Sequence, residues 1–461
     1  MKCLTLLMFL IILIIQSSHS SYTGISTTKK CIVNRTLSDE ELKAPYSYLN
    51  RCMQITSIQT DYSAPFKKPK IEWKQKYINT DLSDAMVDSQ GYIWLTVNKP
   101  INQYYELADS NQSHWNKIIQ LDEKGNICFR KYIYCLEMRL VTINDNSIVI
   151  YRKFEESNNM LPHKWDKINK RFADQYKINF IDLECYDFDG NLIWQTEPEP
   201  IGISYISSKR LHDDRILLSV GEIPGKYNIY SLHDGALIEE LLFPDWDNHI
   251  FSWEPIEIST PGNEGWVGEK RNLIVRYDTN LNPIWEISNE YISPLTLPLV
   301  SPKGLLVYSD MFNMFVLDVN TGDPACKEYP SCDQIGLTND GNLIMMDSQN
   351  ENLKILDGEN GRIVKELSNS NALLGLSTSM IVYQDNSLAI GIGNNRSVAF
   401  TSYDGTELWV LDISSIGIPQ NAMVYSYLIP SPDSRIILVC EYEDYDFQNK
   451  RTILASLSPD E

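Results

Sequence analysis

From Ile71 onward, short apolar runs rich in β-branched and aromatic residues alternate with clusters of Asp, Asn, Gly and Ser. This is the period of strands and turns, not of helices. Residues 305–327, LLVYSDMFNMFVLDVNTGDPACK, show the unit clearly: two strands, a tight Asn-Thr-Gly turn and the start of a third strand. The turn recurs, and four residues beyond it stands a position that is often bulky. The pairs are Gly125 with Phe129, Gly190 with Trp194, Gly235 with Glu239, Leu281 with Trp285, Gly322 with Cys326, Gly361 with Lys365, and Gly405 with Trp409. Trp73 holds the equivalent place in an orphan strand at 71–74.

Successive bulky positions lie roughly 40 to 65 residues apart, the length of a four-stranded propeller blade with loop insertions. A second family of turns falls between them: Asp88-Ser89-Gln90-Gly91, Asn144-Asp145-Asn146, Ser301-Pro302-Lys303-Gly304, Thr338-Asn339-Asp340-Gly341 and Ser431-Pro432-Asp433-Ser434. Asn, Asp and Gly tolerate left-handed backbone, and Pro pre-sets one dihedral. Two phases repeating together predict an all-β fold, an eight-bladed β-propeller with units beginning near 82, 138, 203, 253, 294, 334, 373 and 421. The last unit lacks an outer strand. The orphan strand at 71–74 is expected to supply it, so that pairing of N-terminal and C-terminal strands closes the ring.

Two insertions break the rhythm. In 154–177, Trp165, Ile168, Phe172 and Tyr176 share a helical face, with Lys164, Lys167, Lys170, Arg171 and Lys177 around them; a surface helix packed on a blade is expected. In 244–255, Trp246, His249, Phe251 and Trp253 are expected to pack between blades.

The N-terminus changes the picture of compartment. Lys2, an apolar run to Ile15 and the small residues Ser18 and Ser20 predict a secretory signal peptide over residues 1–20, too short in its apolar part to span a bilayer. Residues 21–68 read as a separate N-terminal extension and 69–461 as the propeller domain. The formal net charge of −21 argues against nucleic acid and anionic membrane surfaces as partners. No later stretch is long enough for a membrane span.

An exported chain makes disulfides and glycans relevant. Of nine cysteines, nearness pairs Cys31 with Cys52, Cys128 with Cys135, and Cys326 with Cys332. Cys185 and Cys440 lie in apolar strand patterns and read as buried thiols. Asn34, Asn111 and Asn395 head N-x-S/T sequons and are the candidate glycosylation sites.

Four turns carry a family likeness. Asp318-Val319-Asn320-Thr321-Gly322 followed by Cys326, Asp357 to Gly361, Asp187-Phe188-Asp189-Gly190 followed by Trp194, and Tyr403-Asp404-Gly405 followed by Trp409 resemble the pyrroloquinoline-quinone-type (quinoprotein alcohol dehydrogenase-like) propeller repeat. The resemblance covers about residues 70–457. It implies an eight-bladed propeller whose turn-plus-four Trp docks each blade on the next. Only Trp194, Trp285 and Trp409 keep that Trp, so docking is expected to use other side chains elsewhere. The family includes quinone-dependent oxidoreductases, but the adjacent Cys pair and the CxxCH of such enzymes do not occur, and no cofactor is expected. Tyr277 to Trp285 also resembles arylsulfate sulfotransferase repeats, whose chemistry needs a His nucleophile with cationic partners. His114, His163, His212, His233 and His249 have no neighbouring motif of that kind.

Asp318-x-Asn320-x-Gly322 lacks the distal Glu of a calcium loop and fits the repeat turn, so no metal site is expected. Glu441, Glu443, Asp444 and Asp446 read as a solvated hairpin loop. No catalytic residue stands out. The leading expectation is a secreted or lumenal, non-enzymatic propeller that acts as a protein- or carbohydrate-binding module. The alternative is a propeller enzyme, a quinone-dependent oxidoreductase or an arylsulfotransferase-type transferase. A cluster of His, Arg and Lys converging on the channel would favour the enzyme.

Overall fold

The computed structural model describes residues 55–59, 69–78 and 81–459, apart from internal segments at 99–114, 145, 156–178, 202–207, 212–213, 221–225, 244–254, 259–263, 271–272, 289–295, 310–312, 327–328, 331–333, 348–351, 369–376, 393–396, 404–406, 419–422 and 444–449. Both predicted insertions, 154–177 and 244–255, lie almost wholly outside the described residues.

Eight antiparallel blades of four strands follow one another along the chain, spanning 81–134, 137–195, 208–242, 256–288, 296–330, 334–368, 377–412 and 423–459; the last range supplies three of its four strands, and a short fifth strand, Glu199–Ile201, joins the second blade. We number them blades 1 to 8. The first strands of successive blades meet at seven of the eight junctions of a ring, and Lys209 reaches the entry of blade 4 at the eighth, so each blade runs outward from an innermost to an outermost strand. Each sheet alone would leave two bare faces. Packing face to face buries both, and the core clusters accordingly combine side chains of neighbouring blades, as where Trp94 of blade 1 joins Met138, Ile148 and Tyr186 of blade 2. Burial of this kind contributes about 25 cal/mol per Å² of apolar surface and is what holds a propeller together.

Two strands precede blade 1: β1 (Ile55–Gln59) and β2 (Pro69–Ile78). β2 pairs antiparallel with Lys450–Pro459, from Pro69 opposite Pro459 to Ile78 opposite Arg451, and so becomes the outermost strand of blade 8. The orphan strand therefore closes the ring as its sequence predicts. The unit starts agree as well, with innermost strands beginning at Asp81, Glu137, Ser208, Ile256, Thr296, Gln334, Ser377 and Met423.

The repeat turns are held by their own aspartates, each of which accepts backbone hydrogen bonds inside its turn. Asp278 Oδ1 accepts from the N–H groups of Asn280 and Asn282, both at 2.8 Å, and Asp318 Oδ1 from Asn320 at 2.7 Å and Thr321 at 3.2 Å. Asp318-x-Asn320-x-Gly322 is thus a hairpin turn. The Asn282 side chain, through its bond to Asp278, holds that carboxyl below its ordinary value.

The turn glycine meets the bulky residue of the blade before it: Gly125 lies on Trp73, Gly190 on Phe129, Gly235 on Trp194, Gly322 on Trp285 and Gly361 on Cys326. A Cβ on Gly125 would stand 2.7 Å from the Trp73 ring, at a φ of +80°, so both the space and the backbone demand glycine. Docking therefore uses the same position even where Trp is missing, contrary to the expectation of docking elsewhere. Lys365 fills it differently, donating from Nζ to the Tyr403 carbonyl at 2.8 Å with its ammonium 5.0 Å from the Tyr403 ring. After Glu239, which brings no bulk, the next turn has Leu281 at a φ of +60° in place of glycine. That leucine packs on the core shared by blades 3 and 4.

The cysteines depart from the expected pairing. Cys128 and Cys135 are free thiols, the first exposed and the second buried. They stand at the two ends of the strand Ile127–Tyr134, about 23 Å apart at the rise of an extended strand, far beyond the reach of a disulfide. Cys326 is also unbridged; it seats the Gly361 turn instead. Cys31, Cys52 and Cys332 lie outside the described residues. Cys185 and Cys440 are buried free thiols as expected. Glu441 is not part of a solvated loop: it is buried within the strand Ile436–Glu443.

Candidate binding site at the inner ring

A propeller blade has a problem at its innermost strand, whose outward-turned N–H and C=O groups have no further strand to pair with. Left unpartnered and buried, each costs about 1–3 kcal/mol. At blade 2 and at blades 6 and 7 these groups are satisfied in two different ways.

The first uses side chains. Asn98, at the end of the second strand of blade 1, donates from Nδ2 to the Met138 carbonyl at 3.1 Å and accepts from the Met138 N–H at 3.2 Å. Asp84 Oδ2 accepts from the Leu140 N–H at 3.2 Å and from the Thr96 hydroxyl at 3.3 Å. Two side chains of blade 1 thus act as a substitute strand for blade 2. Asn98 and Asp84 are both buried, so these bonds are shielded from water.

Further ties run round the ring. Arg210 of blade 3 donates to Thr142 Oγ1 of blade 2 at 3.4 Å. Buried Lys209 donates from Nζ to the Pro255 carbonyl, at the entry to blade 4. Arg215 pairs with Glu257 of blade 4 at 2.5 Å. Ser301 Oγ donates to the Gly358 carbonyl at 3.2 Å, and Arg435 of blade 8 donates to the Glu123 carbonyl of blade 1 at 2.6 Å.

The second way uses backbone. β1 runs parallel to the innermost strands of both blade 6 and blade 7. Ile55 and Thr56 stand opposite Gln334 and Ile335, while Ser57, Ile58 and Gln59 stand opposite Met380, Ile381 and Val382. The two blades become one nine-stranded sheet with β1 at its centre. Ile55–Gln59 is therefore joined to the propeller by strand pairing.

Among the described residues near the inner ring, four cationic side chains are engaged. Arg139 pairs with Glu137 at 2.9 Å, Arg210 with Asp214 at 2.5 Å, and Lys209 and Arg215 as above. They point to separate partners rather than to one reacting centre. His233 is exposed on the outer turn of blade 3, 3.8 Å from Asp214, the carboxylate that also holds Arg210. His114, His163, His212 and His249 lie outside the described residues.

One dense cluster of titratable groups sits further out, in blade 2. Arg152 bonds to Asp182 through Nε at 2.9 Å and to Glu184 at 3.0 Å. Gln195 Nε2 donates to Asp182 at 2.8 Å, the Tyr186 hydroxyl donates to Glu184, and the Lys131 ammonium of blade 1 lies 4.3 Å from the Tyr186 ring. Burial raises the Glu184 carboxyl, and burial together with the Glu184 charge raises the Tyr186 phenol. Nearby Cys135, donated to by Asn116 Nδ2 at 3.2 Å, is pushed up to about 12, chiefly by burial. A thiol and a phenol held protonated are poor nucleophiles. The cluster neutralises its own charges and ties three strands of blade 2 to blade 1.

None of the sequons can be placed: Asn34, Asn111 and Asn395 all lie outside the described residues. Sequence reading missed Asn98, Asp84 and β1. It also passed over Asp182-x-Glu184, although carboxylates at alternate positions in an otherwise apolar strand are a legible signal.

No family model matches the chain, and no curated protein matches its sequence. Among solved structures, the chain is similar to BamB from Moraxella catarrhalis, with 12% identity, a TM-score of 0.44, and 85% of this chain and 99% of that one covered. It is also similar to Kluyveromyces lactis Hsv2, at 12% identity and a TM-score of 0.39 over 62% of this chain and 95% of that one. A third similar structure is virginiamycin B lyase from Staphylococcus aureus, at 11% identity and a TM-score of 0.39 over 66% of this chain and 99% of that one. The likeness is one of fold; the chain is an all-β, eight-bladed propeller closed by its terminal strands.

Proposed function

We propose that the protein is an extracytoplasmic propeller of the quinone-type repeat that binds a protein or carbohydrate partner without catalysing a reaction on it and without a cofactor. The observation that carries this reading is the engagement of the inner-ring cations: Arg139, Lys209, Arg210 and Arg215 each hold a local carboxylate or carbonyl. Oxyanion or sulfate chemistry would need such groups converging on one reacting atom. The leader at 1–20 and the sequon asparagines Asn34, Asn111 and Asn395 support export. The turn-plus-four docking supports the repeat family, since Trp73, Trp194 and Trp285 occupy the docking place.

Expression in a eukaryotic secretory host tests it. The expected result is protein in the medium, beginning at Ser21, with a mass that falls on enzymatic deglycosylation. The purified chain is then titrated with pyrroloquinoline quinone plus calcium, assayed for dye reduction with alcohols and for aryl sulfate turnover, and screened on glycan and extracytoplasmic-protein arrays. Quinone binding with turnover, or sulfate transfer, would overturn the reading.

A further inference from the structure

Blades 6 and 7 are joined differently from their neighbours. Where blade 2 has its edge groups answered by the Asn98 and Asp84 side chains, the innermost strands of blades 6 and 7 present theirs to a whole strand, β1. β1 gives its first two residues, Ile55 and Thr56, to blade 6 and its last three, Ser57 to Gln59, to blade 7, so a single strand passes from one wall to the other, and both walls run parallel to it. The width of the gap between the walls does not depend on β1 alone. In the turn following the innermost strand of blade 6, the Asn339 N–H donates to Asn386 Oδ1 at 2.6 Å and its Nδ2 to the Tyr383 carbonyl at 2.5 Å, tying blade 6 to blade 7 at that end of the strands. The wall residues Ile335, Met380, Ile381 and Val382 are buried in the blade cores, so the walls are held by packing that β1 does not supply.

We infer that the gap between the innermost strands of blades 6 and 7 is an acceptor site for one extended polypeptide strand in parallel orientation, occupied intramolecularly by Ile55–Gln59. The partner class is therefore an extended, proline-free peptide segment, bound mainly through its backbone, as in strand-addition recognition. This inference rests on the binding reading above and narrows its partner. The built-in strand is tethered to β2 through residues 60–68, so it competes with an incoming peptide at an effective concentration in the millimolar range, about that of a short linker. A partner consequently sees only the fraction of molecules whose β1 has left, and its affinity is weakened by that fraction.

The experiment uses a labelled peptide of residues 53–61 and the full-length chain, read by fluorescence anisotropy. Ile58→Pro removes a donor N–H from β1 and weakens its hold. The expected result is peptide binding to this variant about fivefold tighter than to the unaltered chain, the gain that loss of one ladder bond from β1 allows. The peptide carrying proline at the position of Ile58 is expected not to bind. Hydrogen exchange over 334–335 and 380–382 is expected to speed up in the variant and slow again on adding the peptide.

A second variant carries a specific protease site within 60–68 and is cut only after folding, so that a folding defect cannot hide the answer. Labelled peptide is expected to exchange into the cut protein and not into the uncut one. Equal binding to all forms, or no binding to a folded Ile58→Pro variant and to the cut protein, would overturn the proposal. Because the peptide is the chain's own, that failure would leave the wider binding reading standing. Quinone or sulfate turnover would instead remove the wider reading and leave strand exchange intact.

Discussion

The inner edge of blade 2 and the inner edges of blades 6 and 7 answer the same physical demand with different parts of the chain. In blade 2, two buried side chains from the neighbouring blade reach the Met138 and Leu140 backbone. Between blades 6 and 7 the backbone of a distant segment does so. A side-chain cap is permanent, since Asn98 and Asp84 belong to the core they protect. A strand cap is exchangeable, because any extended chain offers the same N–H and C=O groups at the same spacing. The difference marks blades 6 and 7 as the place where this ring can accept something else.

The comparison breaks most severely at Asn98. Asn98→Ala leaves the Met138 N–H and C=O buried with neither partner, and two such groups cost on the order of 2–4 kcal/mol. The expected outcome is a large drop in chemical-denaturation stability with an unchanged m-value. A loss below about 0.5 kcal/mol would mean that water reaches this edge and that the side-chain cap is dispensable.

Asn339→Ala comes next. It removes the bond to the Tyr383 carbonyl, but that carbonyl keeps its bond from the Asn386 N–H at 2.8 Å, so about 1–2 kcal/mol is expected. If the gap between blades 6 and 7 is held by Asn339, β1 should exchange hydrogen faster in this variant. Unchanged exchange would show that β1 holds the gap unaided. Ile58→Pro should cost still less globally, about 1 kcal/mol for one ladder bond, with its main effect confined to exchange at 334–335 and 380–382. A global loss as large as that of Asn98→Ala would make β1 a structural strand and erase the contrast.

Much of this ring is legible in the amino-acid sequence alone. The two turn phases, the orphan strand with Trp73 and the Cys326 docking place follow from local rules of turns and alternation, because each blade repeats them. What escapes is non-local. ITSIQ in β1 looks like any short β-branched run, and nothing within five residues names blades 6 and 7 as its neighbours. Asn98 ends a strand as many asparagines do, and its partner lies forty residues away. The Cys128–Cys135 pairing fails for a related reason: nearness in sequence is not nearness in space when an extended strand holds the two residues apart. Loss of the docking Trp does not move the docking place either, since Phe129, Cys326 and Lys365 fill it by apolar bulk, by a small thiol and by a hydrogen-bonded ammonium.

The smallest expected effect sharpens the contrast through pH. Glu184 lies behind the blade 2 edge among Arg152, Asp182, Tyr186 and Lys131, and burial raises its carboxyl above the ordinary 4.5. A carboxyl whose folded pKa is raised contributes its stabilisation in full below the unfolded value and loses it as pH rises through the folded one. Blade 2 should therefore lose some stability on going upward from about pH 4.5, and Glu184→Gln should flatten that dependence while keeping a group that can still accept from Tyr186. Between blades 6 and 7 the strand cap is peptide backbone, which does not titrate in this range. Amide protection there, corrected for intrinsic exchange, should stay level over the same pH span in both proteins. A slope at 380–382 that matches the slope at 138–140 would mean that the two edges open together, and the strand site would then lack the independence that exchange with a partner requires.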